Sequence, residues 1–420
     1  MRKLLFTGMS LLGLWMAQAQ NRFPKPDFES GYQYPDIHYA VPNEDLWLVV
    51  DVIMLVLLMG IVAWAAIKRR TREPIFVVSL VSVAYFGFFR SGCVCSIGSI
   101  QNVVLALVDG NYQIPWIVFL FFILPILFAF LFGRVFCAGV CPFGALQDLV
   151  HVKDFKIARP IAILLGIVPW VYLAFAVLYA ATRSSFIICH LDPFVGIFRM
   201  GGDAGMITLG AILIVLSIFS GRLFCRFICP YGALLGLVSR FSIWKVKITK
   251  HPCINCELCH NACPVDAIRP PYANKVKESR QKGVRRVLMY MIVLPIFMLA
   301  GAFLARMVSD DLSRSNKNVR LYEMVMAQEA DPQDVLNLEL EAFYGQGRVV
   351  DELAAQCEAI KADFKFYSTI IGAFVGLVIG LNLIQLSTKR NRVHYEIDHA
   401  ACVACGRCFS YCPQTRKKQE

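Results

Sequence analysis

The chain has 420 residues, of which 57% are hydrophobic and only 17% are charged. A water-soluble domain typically has roughly 45–50% apolar and about 25% charged residues. The composition therefore excludes an ordinary soluble enzyme, a disordered chain and a fibrous repeat, and it indicates a membrane protein with several spans. The formal net charge is +12, and 16 cysteines stand beside 7 histidines, so the basic residues and the cysteines both need an explanation.

The N-terminus has the pattern of a secretory signal peptide at 1–19. A basic start precedes an apolar stretch, and Ala17 to Ala19 form a small-residue cleavage site. The alternative is an uncleaved first span, but this apolar stretch is short for a hydrocarbon layer of about 30 Å. Residues 20–45 are expected to follow as a polar lead-in on the periplasmic side.

Seven apolar stretches predict membrane-spanning helices, most of them close to the ~20 residues that a span requires. They lie at roughly 46–67, 75–89, 114–133, 160–181, 205–220, 287–307 and 367–386. Clusters of Lys and Arg recur at alternate ends of these stretches, and with the mature N-terminus outside they all fall on the cytoplasmic side, as the positive-inside rule requires. Membrane orientation therefore explains the basic excess, and no nucleic-acid partner is expected.

The cysteine run C-x2-C-x2-C-x3-C-P occurs twice. In bacterial ferredoxins three cysteines of such a run bind one cluster, and the fourth binds the other. By that rule the ligands of the first [4Fe-4S] cluster are Cys253, Cys256, Cys259 and Cys412, and those of the second are Cys402, Cys405, Cys408 and Cys263. The alternatives are zinc and disulfides, but zinc sites usually pair two C-x2-C units across a spacer, and disulfides are rare in a reducing cytoplasm.

A second pattern, G-R-x-x-C-x3-C-P-[FY]-G-A-L, occurs at 133–146 and 221–234, with a weaker third copy at 89–101. C-x3-C on a helix places both sulfurs on one side, about one turn apart. Two facing pairs then offer four thiolates: Cys137, Cys141, Cys225 and Cys229. One interpretation is a site for a third iron–sulfur cluster or a metal, and the other is redox-inactive cysteines at a helix contact.

Three further cysteines, Cys93, Cys95 and Cys189, fall on the outer side under this topology. A disulfide or inert thiols are the default in an oxidising exterior. The alternative is that these three cysteines are outer redox thiols, on the side opposite the cytoplasmic C-x3-C-P repeats. Cys357 stands alone in the outer insertion and receives no assignment.

The predicted fold class is mainly α: a polytopic transmembrane helical bundle of about seven spans after the signal peptide, with a small cytoplasmic two-cluster domain like a bacterial ferredoxin. The transmembrane region with the C-x3-C-P repeats covers 46–250. Two ferredoxin halves, at 251–286 and 387–420, flank two spans at 287–307 and 367–386 and a periplasmic helical insertion at 308–366. Because two spans separate the halves, both return to the same face and are expected to join.

The two C-x3-C-P repeats and the two cubane runs together resemble the NosR/NapH family of membrane polyferredoxins, over about 114–270 and the last twenty residues. The resemblance implies a bacterial inner-membrane protein that passes electrons between quinol or cytoplasmic donors and periplasmic reductases. It also implies that the cysteines of the cubane runs are cluster ligands. Two features depart from the family: residues 20–45 are too short for the outer flavin-binding domain of NosR-type members, and NapH-type members keep their cubane runs close together.

The predicted function is a membrane-bound electron relay between a cytoplasmic or quinol donor and a membrane or periplasmic acceptor. Such a protein is a component of an oxidoreductase system rather than a stand-alone enzyme. Two [4Fe-4S] clusters are expected, with a third iron–sulfur cluster or metal and a quinone as further candidates. The expected partners are the lipid bilayer and redox proteins on the cytoplasmic side, with the periplasmic side as a second candidate. The alternative function is an accessory or redox-sensing factor for the assembly or maintenance of an exported metalloenzyme.

Overall fold

A computed structural model of the chain describes residues 45–92, 95–152, 155–199, 204–248, 253–272, 280–330, 338–387 and 392–416. The signal peptide predicted at 1–19, nearly all of the lead-in at 20–45, and Cys93 lie outside these residues.

The first half of the described chain is almost entirely helical. Its helices are α1 Asp45–Trp64, α2 Glu73–Ser82, α3 Ser99–Val108, α4 Trp116–Phe132, α5 Pro142–Leu149, α6 Arg159–Leu165, α7 Val168–Ala181, α8 Ile187–Leu191, α9 Pro193–Phe198, α10 Ala204–Phe219, α11 Leu223–Phe227 and α12 Pro230–Ser239. Single π-helical turns continue α1 and α2 and precede α5, at Ala65–Arg69, Val83–Phe89 and Phe136–Val140.

The second half combines short ferredoxin-like elements with two long helices. Its elements are α13 Leu258–Asn261, β1 Ile268–Arg269, α14 Arg280–Met307, α15 Ser309–Ser313, α16 Lys317–Ala330, α17 Leu338–Gly345, α18 Val350–Ser387, β2 Glu396–Ile397, α19 Arg407–Ser410 and α20 Pro413–Arg416.

Four helical segments of the described residues are long and apolar enough to cross a membrane: Leu46–Arg69, Arg159–Ala181, Arg280–Met307 and Val350–Ser387. The other three predicted spans correspond to shorter apolar helices, Glu73–Phe89, Trp116–Phe132 and Ala204–Phe219. At 1.5 Å per residue these three reach about 25 Å, somewhat less than a hydrocarbon core of about 30 Å. The chain is a membrane protein, and the number of seven spans remains a prediction.

The apolar surface of α14 shows why a membrane is required. None of its most apolar 18-residue window is buried within the protein, and large side chains such as Ile292, Leu299 and Phe303 are more than 60% exposed. Contiguous apolar surfaces of this size need a partner in water, and lipid provides one along the whole helix.

The last long helix begins earlier than the sequence predicted. The apolar stretch begins at 367, whereas α18 begins at Val350 and runs for 38 residues. Its first turns bury Leu353 against Val325, Leu340 and Phe343. This part of the predicted insertion is therefore a small helical cap built on a continuation of the spanning helix.

The two ferredoxin halves meet through a small antiparallel sheet. Ile268 in β1 lies opposite Ile397 in β2, and Arg269 lies opposite Glu396. The helices α14 and α18 stand between the two halves in the sequence and pack against each other along their length. The chain thus leaves the ferredoxin region along one helix and returns to it along the other.

Glycines allow α14 and α18 to approach closely. Gly301 faces Gly372 across the contact, and a Cβ on Gly376 would collide with the Phe297 carbonyl and lie 3.1 Å from the Met298 Cα. Small residues at such positions let helix backbones pack closely in a membrane.

A Gly376→Leu substitution is expected to destabilise the protein, because overpacking a close contact costs about 1–3 kcal/mol or more. Thermal unfolding of the purified protein in detergent measures the loss. Gly60→Leu in α1 is the matched control, since nothing lies within 4 Å of a Cβ at that position. Equal losses in both variants would contradict the proposed role of the glycine contact.

Candidate functional site

The two C-x3-C-P repeats bring their cysteines together in the protein interior. Cys137, Cys225 and Cys229 are each at most 7% exposed, and the charged neighbours of Cys229 include Cys225, Cys137 and Cys141. The Cys225 thiol donates a hydrogen bond to Gln147 Oε1 at 3.6 Å. We call these four residues, Cys137, Cys141, Cys225 and Cys229, the inner cysteine set.

The sequence-based geometry of each C-x3-C pair is wrong in one respect. The pair does not lie on a continuous helix, because Cys141 and Cys229 have extended backbones with ψ of 115° and 113° and stand just before α5 and α12. A residue before proline is driven out of the α region, and proline is favoured at the first position of a helix. Each C-x3-C-P pair therefore places its first sulfur in one helical turn and its second at the start of the next helix.

The motif glycines make room for these sulfurs. A Cβ on Gly144 would lie 3.4 Å from Cys225 Sγ, and one on Gly232 would lie 2.9 Å from the Cys225 carbonyl oxygen. The Gly232 amide donates to Cys229 Sγ at 3.2 Å. The glycine of the repeat is thus needed where the two copies approach each other.

The motif arginines bind across the two copies. Arg222 of the second copy donates to the carbonyl oxygens of Cys137 and Ala138 in the first. In return, Arg134 of the first copy donates to the Cys225 carbonyl of the second at 3.4 Å and lies 3.9 Å from Cys137 Sγ. Arg222 is fully buried and Arg134 nearly so, so two guanidinium groups place positive charge beside Cys137 and Cys225.

Asp148 balances part of this buried charge. Its carboxylate lies 3.5 Å from Arg222, 3.5 Å from Arg72 and 3.2 Å from Arg407. Burial alone would raise the pKa of Asp148, but Arg222, Arg407 and Arg72 together lower it below its ordinary value. The aspartate therefore remains ionised, and through Arg407 it ties the membrane repeats to the second ferredoxin half.

One group of ferredoxin cysteines surrounds a cavity. Cys263, Cys402, Cys405 and Cys408 line a small cavity together with apolar side chains from both halves; we call these four the proximal set. Burial raises the pKa of the Cys402 thiol to about 12 and that of Cys263 to about 11. A bound cationic cluster would replace the protons of such thiols, so the donor chemistry fits an iron–sulfur cluster.

The other ferredoxin cysteines lie nearer the surface. Cys253 and Cys256 are exposed, and the charged neighbours of Cys259 are Cys412, Cys253 and Cys256. We call these four, Cys253, Cys256, Cys259 and Cys412, the distal set. Helix α13, which contains Cys259, contacts α19, which contains Cys408 of the proximal set, so the two sets are adjacent.

Among the described residues no three His, Cys, Asp or Glu side chains converge closely enough for a single metal ion. A cubane binds its four thiolates through four different iron atoms, which spaces the sulfurs more widely than one tetrahedral ion does. The cavity shared by Cys263, Cys402, Cys405 and Cys408 has the members that the crossed ferredoxin rule gives to the second cluster, and both ligand sets remain predictions.

The ferredoxin region lies directly against the membrane repeats. Arg134 donates to the Ala400 carbonyl at 3.0 Å, and Ser239 donates to the His399 carbonyl at 2.8 Å. Arg134, which is buried, also donates to the Cys225 carbonyl of the inner set at 3.4 Å, and Ala400 stands two residues before Cys402 of the proximal set. A single buried side chain therefore lies between the proximal and inner cysteines.

Comparisons with known proteins agree with this arrangement. A family model described as a 4Fe-4S binding domain matches 114–160 and 203–249, which contain the two membrane repeats, and another of the same description matches 246–269, which contains the first cubane run. Relatives include the regulatory protein NosR of Stutzerimonas stutzeri, which is 27% identical over 53% of this chain and 34% of its own length. The ferredoxin-type protein NapH of Haemophilus influenzae is 26% identical over 37% of this chain and 57% of its own length.

The chain belongs to the NosR/NapH-like polyferredoxin family. An uncharacterized protein of Methanocaldococcus jannaschii is also similar, with 35% identity over 34% of this chain and 56% of its own length. The chain thus spans between a third and somewhat over half of the length of these relatives. No solved structure matches it.

This polyferredoxin also brings together two of its predicted outer thiols. A Cβ on Gly98 would lie 3.7 Å from Cys95 Sγ and 3.9 Å from Cys189 Sγ, and no disulfide joins the two. Asp192 accepts a hydrogen bond from the Cys95 thiol at 3.4 Å. No role for Asp192 was predicted from the sequence. Cys357, unassigned from sequence, is buried in the helical cap.

Asp148→Asn is expected to destabilise this polyferredoxin by about 3–5 kcal/mol, because it leaves the buried Arg222 guanidinium without its carboxylate. Denaturant unfolding in detergent measures the effect. The control is Asp311→Asn, whose ion pair with Arg314 at 3.0 Å is largely exposed and is worth about 0–1 kcal/mol. If the two variants lose the same stability, the buried pair does not have the role assigned to it.

Proposed function

We propose that the protein transfers electrons between a donor on its ferredoxin side and an acceptor in or beyond the membrane. The observation that carries the proposal is the position of Arg134, which is buried and donates both to the Cys225 carbonyl of the inner set at 3.4 Å and to the Ala400 carbonyl, two residues before Cys402 of the proximal set, at 3.0 Å. Proximity of this kind is what a chain of redox sites requires, and the 4Fe-4S binding domains supply the matching cofactor chemistry.

In this proposal the distal and proximal sets each hold one [4Fe-4S] cluster, which supplies a one-electron carrier when bound. The protein's own residues set the order of the sites. Cys253 and Cys256 are exposed and provide the surface on which a donor docks, whereas the proximal set lies around an interior cavity. The proximal set faces the membrane repeats through Arg134 and Arg222.

The buried arginines have a second role in this function. An iron–sulfur cluster with four thiolates carries net negative charge, and hydrogen bonds and nearby charges set its reduction potential. Arg222 and Arg134 place positive charge between the proximal and inner sets, which favours the electron-rich form at this point of the path. The inner set is then either a binding site for a third cluster or a group of thiols beside the path.

The proposed topology has seven spans with the ferredoxin domain in the cytoplasm. Four long helices support the spanning part, and the basic residues Arg280, Lys282, Arg285 and Arg286 stand at the ferredoxin end of α14. Such a cluster favours the cytoplasmic side.

A fluorescent protein fused to the C-terminus is expected to fluoresce in cells, because that fusion would lie in the cytoplasm next to the second ferredoxin half. A fusion of alkaline phosphatase after Gln346, in the cap between α17 and α18, is expected to be active because the enzyme needs the exported side. The reverse pattern of activities would overturn the orientation.

Purified under anaerobic conditions, the protein is expected to contain about eight irons and eight acid-labile sulfides per chain, as two cubanes require. Cys256→Ser and Cys405→Ser are each expected to lower iron to about four per chain, and EPR of the reduced protein should lose a different signal in each. About twelve irons in the unaltered protein would place a third cluster at the inner set.

Cys357→Ser is the control, because Cys357 is a buried residue near the start of α18 and belongs to none of the cysteine sets. It is expected to leave the iron content and the EPR spectrum unchanged. Zinc without sulfide, or full iron loading in Cys256→Ser, would contradict the proposal.

A further inference from the structure

The outer cysteines lie at the end of the helices away from the ferredoxin domain. The α2 helix begins beside Gly406 of the second ferredoxin half, and Cys95 follows its far end. The α6–α7 segment begins at Arg159, which shares a cavity with Asp398 of the same half, and Cys189 follows its far end. Cys95 and Cys189, the outer pair, are therefore separated from the ferredoxin domain by the length of these helices.

The outer pair repeats the construction of the inner set. The Gly98 amide donates to Cys95 Sγ at 3.3 Å, as the Gly232 amide donates to Cys229 Sγ at 3.2 Å. Gly98 and Gly144 each mark the place where cysteines from two segments converge. This shared geometry indicates that the weak third copy of the motif, at 89–101, also builds a site.

A glutamine stands three residues after each of these two glycines, and the two glutamines make matching contacts. Gln147 Oε1 accepts from the Cys225 thiol, and Gln101 Oε1 accepts from the Ile188 amide, next to Cys189, at 3.0 Å. Both glutamines are fully buried. The partner segment of the third copy is therefore the one that carries Cys189.

In that partner segment an aspartate replaces the second cysteine. Asp192-Pro193-Phe194 follows Cys189 much as Cys229-Pro230-Tyr231 follows Cys225, and each proline begins a helix. The Asp192 side chain is 2% exposed. Its carboxylate accepts hydrogen bonds from the Phe194 amide at 3.0 Å and from the Cys95 thiol at 3.4 Å.

The outer site thus contains two thiols with different access and one carboxylate. Cys189 is exposed, whereas Cys95 is only partly accessible and is hydrogen-bonded to Asp192. Burial raises the pKa of Asp192 to about 6, although the Phe194 amide, the Cys95 thiol and Arg199 oppose the shift. A carboxyl group with a pKa near neutrality is suited to accept and return a proton.

We propose that Cys95 and Cys189 form a reversible dithiol–disulfide centre, with Asp192 as its proton acceptor, that reduces a disulfide in an exported protein. This proposal rests on the electron transfer proposed above for its supply of electrons and for its position on the exported side. Exposed Cys189 is the attacking thiol, and Cys95 is the resolving thiol.

Ordinary thiol–disulfide exchange accounts for every atom and electron in this reaction. The Cys189 thiolate attacks one sulfur of the partner's disulfide, the partner's S–S bond breaks, and the first partner thiolate takes a proton from water. Cys95 passes its proton to Asp192 and attacks the Cys189 sulfur, so that the Cys95–Cys189 bond forms and the second partner thiolate leaves with the proton from Asp192. Two one-electron transfers from the relay and two protons from water then restore the dithiol.

Helix α7 packs against both this centre and the inner set. It contacts α3, which follows Cys95, and α12, which begins just after Cys229. Its Tyr172 side chain packs against the buried core, and the buried Tyr172 hydroxyl has no hydrogen-bond partner among the described residues. One helix thus lies against the segments that carry both groups of cysteines.

The test uses the full-length protein in detergent, reduced and then exposed to oxidised glutathione at pH 7 under anaerobic conditions, with alkylation and mass spectrometry to map the products. The unaltered protein is expected to form the Cys95–Cys189 disulfide, and dithiothreitol should reverse it. Cys95→Ser should accumulate glutathione on Cys189, Cys189→Ser should form neither product, and Cys357→Ser should behave like the unaltered protein.

Asp192→Asn separates proton transfer from a merely structural role. Burial and the Asp192 charge both raise the pKa of Cys189, so removing that charge should speed its attack. Loss of the proton acceptor should slow resolution by Cys95 by about 100-fold or more. The mixed disulfide should therefore accumulate. Slower attack with unchanged resolution would overturn the role of Asp192.

Two thiols that stay separate under every condition, a disulfide from Cys189 to Cys93, or a metal ion lost in Cys189→Ser would overturn the dithiol centre. A dithionite experiment distinguishes this failure from failure of the relay. Dithionite should reduce the Cys95–Cys189 disulfide in the unaltered protein but not in Cys405→Ser. If glutathione and dithiothreitol cycle the pair while dithionite acts equally on both proteins, the centre stands and the relay to it fails.

Discussion

The structure depends on two arginines that are buried among cysteines. Arg222 is fully buried, and a guanidinium group placed there without partners would cost several kcal/mol. Its cost is offset by the Cys137 and Ala138 carbonyls and by Asp148. These contacts hold the two membrane repeats in one arrangement, and the same Asp148 reaches Arg407 of the ferredoxin domain.

The divided ferredoxin domain imposes a second constraint on the fold. Its halves are joined through β1 and β2. The start of α14 and the end of α18 must therefore lie on the same side. Their contact through Gly301, Gly372 and Gly376 fixes how closely they pack. The inserted pair of helices thus lengthens the sequence between the cubane runs without separating the cysteines that share a cavity.

The sequence predicts the parts of this site that spacing and composition encode. Cubane runs have a fixed spacing, so the crossed grouping of Cys263 with the later run follows from the pattern alone, and the apolar stretches locate the long helices. Spacing does not reveal the backbone break at Cys141 and Cys229, because C-x3-C also fits a continuous helix, although the proline after each pair is a signal of it.

Pairings between distant residues are not predictable from one sequence for a different reason. Asp148 meets Arg222 through the packing of the two membrane repeats and Arg407 through the contact with the second ferredoxin half, and no local pattern marks it. The sequence marks Asp192 only weakly, because it stands before Pro-Phe where the two C-x3-C-P repeats have cysteine before their proline. Recognising it requires the structural match of Gly98 with Gly232. The early start of α18 follows from cap packing at Leu353, which hydropathy does not register.

The charges at the two cysteine groups of the membrane region differ in sign, and this difference assigns them different chemistry. Arg134 and Arg222 stand beside Cys137 and Cys225 of the inner set, and positive charge there favours thiolates or an anionic cluster. Asp192 stands beside the outer pair, where its negative charge opposes thiolate formation, so that electron transfer in the proposed centre is accompanied by proton transfer. The aspartate lies in the segment that pairs with the third copy of the repeat, where the segment after Cys225 has a second cysteine, and it makes the proposed outer centre a site for proton-coupled, two-electron chemistry.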